Sequence, residues 1–257
     1  MSESVLQFYE QLASDYHLIF ADWKKSLARQ GEVLDSIIRA QMGTRALSVL
    51  DCSCGIGTQA IGLAVRGYTV HATDLSPAAV ARAEVEATAL GASLTFGVAD
   101  FRVLDRQVAG RFDVVLTCDN ALPHLLDEKD LSVAVRNIWA KLREDGLFLA
   151  SMRDYDRLVQ DKPRTEGPRV FETAEGRRIV FQVWDWSSAG CTYVVHQFVV
   201  REAQENWQTE HYATEYRALL RDELTEVMRE AGFSAIRWHM PQESGYYQPV
   251  VTARRYE

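Results

Sequence analysis

The chain has 257 residues, with 28 basic and 36 acidic side chains and a formal net charge of −8. This length can bury one full α/β core with residues to spare. The acidic balance argues against a protein that reads nucleic-acid phosphates, because that function needs a basic face. Ten Phe, ten Tyr and six Trp argue against a disordered chain.

Signals for export, membrane insertion and metal binding are weak. The N-terminal Met1-Ser-Glu-Ser-Val lacks a basic start followed by an apolar run, and no stretch approaches the roughly 18 apolar residues that span a bilayer. We therefore expect a cytoplasmic protein without a membrane partner. The cysteines at 52, 54, 118 and 191 do not resemble a secreted disulfide framework. Because Cys52 and Cys54 are closer together than the usual ligand pairs of structural zinc sites, we expect no bound metal.

Hydrophobic periodicity predicts helices over residues 3–41, and Gly43 is a plausible cap after them. From Ala46 onward, short apolar runs alternate with helical patterns. The predicted strands lie at 46–50, 68–72, 94–98, 112–117 and 147–151, and the predicted helices lie near 60–64, after Ser76-Pro77 and over 129–143. Ser76 suits an N-cap and Pro77 suits the first helical position. This alternation is typical of a parallel sheet that is covered on both faces.

Residues 168–217 instead show β-type alternation, mainly over 179–184 and 191–200, with turns at Glu175-Gly176 and Ser188-Ala-Gly190. A helix over 222–231 ends at Gly232, and strands at 234–239 and 248–254 follow. We predict one α/β domain over 1–257 with a seven-stranded, mostly parallel sheet and helices on both faces. Its parts are a helical cover at 1–45, a core at 46–153, an inserted antiparallel β-rich lid at 154–217 and closing elements at 218–257.

A loop of small residues, Asp51-Cys-Ser-Cys-Gly-Ile-Gly57, connects the first predicted strand to the next helix. Glycines in such a loop let a nucleotide approach the helix N-terminus. Gly55, Gly57 and Ala60 alone also fit a dinucleotide fingerprint. Asp51, however, would repel a diphosphate and would attract a ligand that carries an amino group and a sulfonium.

Two further acidic residues follow strand ends. Asp74 ends the second strand, where a carboxylate can accept hydrogen bonds from both hydroxyls of a ribose. Asp100 and Phe101 follow the third strand, where an acid and a ring can bind an adenine. Each acid alone is equally compatible with a helix N-cap. Three acids at successive strand ends together favour an adenosyl ligand.

Four segments resemble the successive motifs of class I S-adenosylmethionine-dependent methyltransferases. They are Leu50-Asp-Cys-Ser-Cys-Gly-Ile-Gly-Thr58, Ala72-Thr-Asp-Leu-Ser76, Val98-Ala-Asp-Phe101 and Phe112-Asp-Val-Val115. More distant features are similar to the glycine and sarcosine N-methyltransferase group: Asn120-Ala-Leu-Pro-His124, Arg153-Asp-Tyr-Asp156, Gly245-Tyr-Tyr-Gln-Pro-Val-Val251 and the aromatic N-terminal helix with Arg29. The resemblance implies a Rossmann-like fold, with S-adenosylmethionine as methyl donor and S-adenosylhomocysteine as its product.

The resemblance also implies roles for single residues. Ser53, Gly55 and Gly57, next to Asp51, would line the methionine part of the cofactor, Asp74 and Leu75 its ribose, and Asp100 and Phe101 its adenine. Asn120 and His124 would border the methionine, while Tyr9 and Arg29 would close over the cofactor. The chain departs from the group at Asp119, where glycine is frequent, and at Asp154, where the animal enzymes have asparagine.

The candidate catalytic groups are Asp119 and His124. His124 could titrate near neutrality and act as a base, or it could be a loop histidine that fixes the cofactor. Arg153 could bind a substrate carboxylate through two hydrogen bonds, or it could form a surface ion pair with Asp154 or Asp156. The aromatic residues that could either wall a pocket for a small cationic or planar substrate or pack in the core are Tyr155, Trp184, Trp186, Tyr193, Tyr246 and Tyr247.

These features predict an enzyme that transfers a methyl group to a nitrogen of a small molecule, namely an amino acid, an amine or an N-heterocycle. The reaction is an in-line displacement that requires positioning of the reactants and no metal. The alternatives are a small-molecule O-methyltransferase, a NAD-dependent dehydrogenase and a cofactor-binding regulator without catalysis. The expected partner is the small-molecule acceptor, and a homo-oligomer is compatible with the sequence.

Overall fold

The computed structural model describes residues 3–44, 47–173, 176–204 and 206–256. The predicted boundary at 45 and 46, the chain ends, and Glu175 of a predicted turn lie outside the described residues. The helices are α1 Glu3–Leu12, α2 Trp23–Met42, α3 Thr58–Ala64, α4 Pro77–Ala89, α5 Leu104–Gln107, α6 Glu128–Lys141, α7 Tyr155–Asp161, α8 Arg221–Glu230 and α9 Pro241–Ser244. The strands are β1 Ser48–Asp51, β2 Thr69–Asp74, β3 Thr95–Val98, β4 Phe112–Thr117, β5 Leu142–Ser151, β6 Thr165–Thr173, β7 Gly176–Trp186, β8 Thr192–Ala203, β9 Asn206–Arg217, β10 Phe233–His239 and β11 Val250–Arg255.

The first sheet has seven strands in the order β10-β11-β5-β4-β1-β2-β3. Strands β1 to β5 pair in parallel, and β11 runs antiparallel to both β5 and β10. The strand order reverses between β1 and β4, so the segments that follow these two strands leave the same carboxyl edge side by side. This crevice is where open α/β sheets bind ligands. The predicted seven-stranded, mostly parallel Rossmann-like fold is confirmed.

Helices cover both faces of this sheet, and its central strands carry apolar residues at successive positions in their middle. Val114 and Val115 are both fully buried, and they belong to different apolar clusters. Side chains alternate across a strand, so Val114 packs with Leu34 of α2 while Val115 packs with Leu131 of α6. The continuous apolar runs in the sequence therefore indicate burial on two sides.

Two predicted helix ends are confirmed at atomic detail. Ser76 Oγ accepts a hydrogen bond from the Ala79 N–H at 3.1 Å, and Pro77 is the first residue of α4. Gly43 follows α2 with a φ of 75°, the left-handed range that glycine tolerates best. In the described part of the chain, no helix is both long and apolar enough to cross a bilayer.

Strands β6 to β9 form a second, antiparallel sheet in the chain order β6-β7-β8-β9, between β5 and α8. Its inner face packs on the N-terminal helix, where Val199 and Tyr212 contact Phe8 and Leu12. This sheet corresponds to the predicted antiparallel lid. The sequence did not predict α7, and it gave only weak signals for β9, because most of the first half of β9 is exposed and polar.

Helices α2 and α3 lie very close together at Gly31 and Gly62. A Cβ on Gly31 would lie 2.7 Å from the backbone O of Gly62. We expect Gly31→Ala to lower the free energy of unfolding by about 1–2 kcal/mol, because overpacking outweighs the gain in helix propensity. Urea denaturation measures this change. Ser36→Ala, at an exposed position of α2, is the matched control, and equal stability of Gly31→Ala and wild type would contradict the prediction.

Candidate active site

The glycine loop, residues 52–57, leaves β1 at the carboxyl edge and leads into α3. Gly55 and Gly57 have φ values of 52° and 92°, and a Cβ on Gly57 would lie 2.7 Å from the Ile61 side chain. Asp74, at the end of β2, supports this loop. Its carboxylate accepts hydrogen bonds from the backbone N–H groups of Gly55 and Ser76, both at 2.9 Å. The loop conformation therefore depends on two glycines and one strand-end acid.

Asp51 ends β1 directly beneath this loop and is fully buried. Its Oδ1 accepts from the Ser53 N–H at 3.2 Å, but its Oδ2 has no donor among the described residues. Burial raises the pKa of Asp51 well above its usual value, and the charges of Asp74 and Asp119 raise it further. A buried carboxylate oxygen without a donor is costly. The arrangement therefore favours a ligand that brings hydrogen-bond donors and positive charge.

A small cavity of about 40 Å³, the inner cavity, lies above the glycine loop. Eight of the predicted site residues line it: Tyr9, Ser53, Gly55, Asp74, Leu75, Phe101, Asp119 and His124. Since one water molecule takes about 30 Å³ of liquid, this space is too small for a nucleoside. Tyr9 and Tyr16, from the N-terminal segment, contribute to its wall.

Asp100 differs from the expectation. Its carboxylate pairs with Arg102 Nη2 at 2.7 Å, and the residue lines neither of the two cavities described here. The guanidinium two positions later competes for the carboxylate that was expected to bind an adenine amine. Phe101 is 2% exposed and lines the inner cavity, and its contact with an adenine stays a prediction.

His124 lies on the wall of the inner cavity and is buried between α1 and the second sheet. Its Nε2 is 2.8 Å from the Tyr9 hydroxyl, and its Nδ1 is 3.5 Å from Thr214 Oγ1. Burial lowers the pKa of His124 to about 3, and the charge of Arg153 acts in the same direction. The expectation that this histidine titrates near neutrality is therefore wrong. Its contacts to Tyr9 and Thr214 fix its orientation, and the alternative, a histidine that fixes the cofactor, stays a prediction.

Because His124 is neutral in the fold, it should make stability depend on pH. An unfolded histidine has a pKa of 6.5, so between pH 6.5 and about 3 the unfolded chain binds more protons than the folded one. Stability should fall as pH decreases through this window. We expect His124→Asn to flatten the slope of unfolding free energy against pH between about pH 6.5 and 4.5, as measured by urea denaturation. His71→Asn, at a partly buried site, should keep most of the slope, and a slope unchanged in His124→Asn would contradict the assignment.

The segment after β4 holds two consecutive residues in the left-handed region, Asp119 and Asn120, with φ values of 57° and 71°. Such strain persists only where surrounding contacts enforce it, and it is frequent at functional sites. The Asn120 Oδ1 accepts from the Arg153 backbone N–H and from the Tyr155 hydroxyl. The Asn120 Nδ2 is buried and has no acceptor among the described residues. A donor is therefore available at the junction of β4 and β5.

Asp119 lies on the wall of both cavities. The Tyr247 hydroxyl donates to its Oδ1 at 2.5 Å, and the Tyr246 hydroxyl lies 3.1 Å from the same oxygen. Burial raises the pKa of Asp119, although these hydrogen bonds oppose the shift. Tyr246 itself is fully buried and also contacts Gln30 at 2.6 Å. The carboxylate is thus fixed at the boundary between the two cavities.

The second and larger cavity, the outer cavity, has a volume of about 710 Å³. Seven of the candidate site residues besides Tyr9 line it: Arg29, Asp119, Asn120, Arg153, Trp184, Tyr246 and Tyr247. Arg29 lies exposed on α2, lines this cavity and not the inner one, and has no ion-pair partner among the described residues, so its closing over the cofactor stays a prediction.

Arg153 is held in one orientation by the second sheet. Its Nη1 donates to the Tyr193 hydroxyl at 2.9 Å and its Nη2 donates to Gln182 Oε1 at 3.1 Å. The Trp184 and Tyr216 rings lie 4.7 and 5.3 Å from its guanidinium carbon. No described carboxylate comes within 4 Å of it. The remaining N–H groups are therefore available to an anion, and the surface ion pairs considered from the sequence do not form.

Tyr155 and Tyr193 are fully buried and line neither cavity. Their hydroxyls are 2.9 Å apart, and they hold Asn120 and Arg153 from behind. The structure thus gives them a supporting position rather than direct contact with a ligand. Trp184 lines the outer cavity as expected, whereas Trp186 does not.

Sequence reasoning missed Gln182 and Tyr216, which contact Arg153, and Tyr16, which lines both cavities. Gln182 had a detectable signal. It is a polar residue between Val180 and Trp184 at the positions of β7 that face inward, and a polar side chain in such a row needs a partner. Tyr16 and Tyr216 had no comparable signal.

The segment that contains the glycine loop matches a known protein family. Residues 49–146 match the model of a methyltransferase domain. This segment therefore resembles a methyltransferase domain. A curated glycine/sarcosine N-methyltransferase of Parasynechococcus marenigrum (strain WH8102) is 34% identical over 139 residues, which cover 54% of this chain and 48% of that protein. The chain thus matches about half the length of this relative.

Solved structures with the same fold match this chain beyond residues 49–146. An S-adenosylmethionine-dependent methyltransferase from Clostridium acetobutylicum has a TM-score of 0.76 at 17% identity. The match covers 97% of this chain and 99% of that protein. The sugar N-methyltransferase of Streptoalloteichus sp. ATCC 53650 has a TM-score of 0.72 at 17% identity, and the match covers 91% of this chain and 90% of that protein. The resemblance to class I S-adenosylmethionine-dependent methyltransferases and to the glycine/sarcosine group is confirmed by these matches.

Proposed function

We propose that this protein transfers a methyl group from S-adenosylmethionine to a nitrogen of a small molecule. The observation that carries the proposal is the buried Asp51 carboxylate beneath the glycine loop, with one oxygen lacking a donor and with Asp74 and Asp119 nearby. Asp74 and Asp119 line the inner cavity, and Asp51 lies buried close to them without lining either cavity. Three carboxylates this close together favour a cation and disfavour a diphosphate. This charge distribution supports S-adenosylmethionine over NAD.

The predicted cofactor residues fit such a ligand chemically. Asp51 would accept from its ammonium, and the loop N–H groups and the Asn120 amide would bind its carboxylate. Asp74 would accept from ribose hydroxyls, and Phe101 would pack on the adenine. When bound, S-adenosylmethionine supplies a methyl group already activated on a sulfonium, so the protein mainly positions the reactants. Alignment of this kind can contribute about 7–11 kcal/mol.

The acceptor would bind in the outer cavity, with its nitrogen at Asp119. This carboxylate faces both cavities, so it can hold an ammonium group by charge. Once solvent has taken one proton, it can accept a hydrogen bond from a remaining N–H and so direct the lone pair toward the methyl group. Arg153 would bind an acidic group of the acceptor through its free N–H groups. The relatives named as glycine/sarcosine and sugar N-methyltransferases support nitrogen as the accepting atom.

The buried state of His124 also favours nitrogen over oxygen. A hydroxyl acceptor needs a general base near neutral pH. Burial keeps the pKa of His124 low, so its imidazole stays neutral in that range and is a weak proton acceptor. An amine needs only to lose one proton before it attacks. O-methylation thus remains the second candidate, with Asp119 as its base.

Calorimetry with S-adenosylmethionine and with NAD tests the cofactor. Binding of NAD without binding of S-adenosylmethionine would refute the proposal. A screen for formation of S-adenosylhomocysteine with amino acids, amines, amino sugars, N-heterocycles and matched hydroxyl compounds then tests the acceptor. Turnover of hydroxyl compounds alone would overturn the assignment to nitrogen while leaving the methyltransferase intact.

A further inference from the structure

A buried triangle of hydrogen-bonding side chains adjoins Asp119. Its members are Gln30 of α2, Gln59 of α3 and Tyr246, which follows α9, and all three are buried. The Gln59 Nε2 donates to the Gln30 Oε1 at 2.7 Å and to the Tyr246 oxygen at 3.2 Å. The Gln30 Nε2 donates to the Ser26 Oγ at 3.0 Å, so the carbonyl oxygen of Gln30 faces the triangle.

The Tyr246 hydroxyl has one proton and two acceptors within reach. Its oxygen is 2.6 Å from the Gln30 Oε1 and 3.1 Å from the Asp119 Oδ1. Two oxygens as close as 2.6 Å need a proton between them, and an amide oxygen has none to give. The proton of Tyr246 therefore points mainly to Gln30, and the contact of Tyr246 with Asp119 is the weaker of the two.

We propose that Gln30 is a positioning residue that holds the proton of Tyr246 away from Asp119. One lone pair of the Asp119 Oδ1 then remains available to the amine of the acceptor. The Tyr247 hydroxyl already donates to this oxygen at 2.5 Å. Because a carboxylate oxygen has two lone pairs, a second full hydrogen bond would occupy the remaining one. This role rests on the proposed function, in which Asp119 holds the amine.

Titratable and charged groups from several segments surround Asp119. They are Tyr16 of the N-terminal segment, Asp51 at the end of β1, the adjacent Cys118, Tyr246 and Tyr247 and, on the wall of the outer cavity, Arg29 and Arg153. Burial raises the pKa of the three tyrosines and of Cys118 well above their usual values, so these groups stay uncharged near neutral pH. Replacement of Gln30 changes none of these groups, so the titration of Asp119 reports the position of the Tyr246 proton.

Carbon-13 NMR of the Asp119 carboxyl group, in the full chain without ligand, tests the proposal. Asp119→Asn identifies the signal. In Gln30→Met, which keeps the length and volume of the side chain, Tyr246 loses its nearer acceptor and donates to Asp119. We expect the titration midpoint of Asp119 to fall by about one pH unit. The same replacement made in Tyr246→Phe should leave the midpoint close to that of Tyr246→Phe alone, because no hydroxyl proton remains to be redirected.

Gln197→Met is the matched control, since Gln197 is a similarly buried glutamine whose hydrogen bonds go to Phe181, Gln182 and Phe198 of the second sheet. It should leave the midpoint as in wild type. An unchanged midpoint in Gln30→Met would overturn the proposal, and so would an equal fall with and without the Tyr246 hydroxyl. If Gln30→Met does not fold, as judged by circular dichroism, Tyr246→Phe alone decides: a rise of about one pH unit would show that Tyr246 donates to Asp119 in wild type.

Turnover separates this role from the proposed function. With an amine acceptor from the screen for S-adenosylhomocysteine, Gln30→Met should raise the KM of the amine up to about tenfold with a smaller change in kcat, because Tyr246 then competes for the Asp119 Oδ1. A loosened cavity would lower kcat as well. The expected NMR change without turnover of any amine would refute the proposed function and leave the arrangement of protons intact. Turnover of amines without the NMR change would refute the role of Gln30 alone.

Discussion

Replacing Asp74 by alanine should weaken the binding of S-adenosylmethionine at least about tenfold, because each hydrogen bond to a buried carboxylate contributes roughly 1.5–3 kcal/mol. Asp74 accepts from the backbone of Gly55 and Ser76 and lines the inner cavity. Its loss would release the glycine loop and remove the proposed acceptor for the ribose. Calorimetric titration of the variant with S-adenosylmethionine measures the effect.

Asp113 offers a matched control for this experiment. It lies in β4 at the opposite edge of the same sheet, and its carboxylate accepts from the backbone N–H of Ser48 at 2.8 Å in a similar way. Asp113→Ala should reduce stability but leave cofactor affinity as in wild type. Wild-type affinity in Asp74→Ala would contradict the assignment, whereas equal losses in both variants would point to general destabilisation.

The sequence predicts the first sheet well because its signals are local. Each central strand is a short run with apolar residues at successive positions, such as Val114 and Val115 in β4. Glycines and helix caps such as Ser76 separate these runs from the helices that follow. The acids at 51 and 74 follow these runs directly. Residues that end parallel strands are placed at one edge by topology alone. No long-range information is needed to bring them together.

The errors concern residues whose surroundings come from distant parts of the chain. His124 is buried by Tyr9, 115 positions earlier, and by Thr214, 90 positions later. A short-range pattern shows that a histidine follows β4, but it does not show that water is excluded from it. The pKa therefore cannot be inferred from the sequence, and the predicted titration near neutrality fails.

The same limit applies to the aromatic residues of the second sheet. Alternation predicts that Trp184 and Tyr193 share one face, and it does not tell which of them reaches a cavity. Tyr193 is fully buried because Tyr155 and Arg153 cover it. The aromatic composition of the second sheet thus indicates a packed wall, and the neighbours of each ring in the fold decide which ring can contact a ligand.

Replacing Arg153 by lysine should raise the KM for an acidic acceptor about 10- to 100-fold, because lysine keeps the charge but loses the fixed fork of N–H groups. The guanidinium is oriented by Tyr193 and Gln182 and has no described carboxylate within 4 Å. Its free donors point to an anion supplied by the acceptor. S-adenosylmethionine affinity should stay unchanged, since Arg153 does not line the inner cavity.

Comparison of an acidic acceptor with its decarboxylated analogue separates anion binding from a general loss of activity. The KM of the analogue should be similar in wild type and in Arg153→Lys, because the analogue has no group for Arg153 to bind. Arg143→Lys is the control, since Arg143 pairs with Asp113 at the other edge of the sheet and should leave both KM values unchanged. An equal rise for both acceptors would indicate that Arg153 supports the cavity wall through Trp184 and Tyr216 rather than binding the acid.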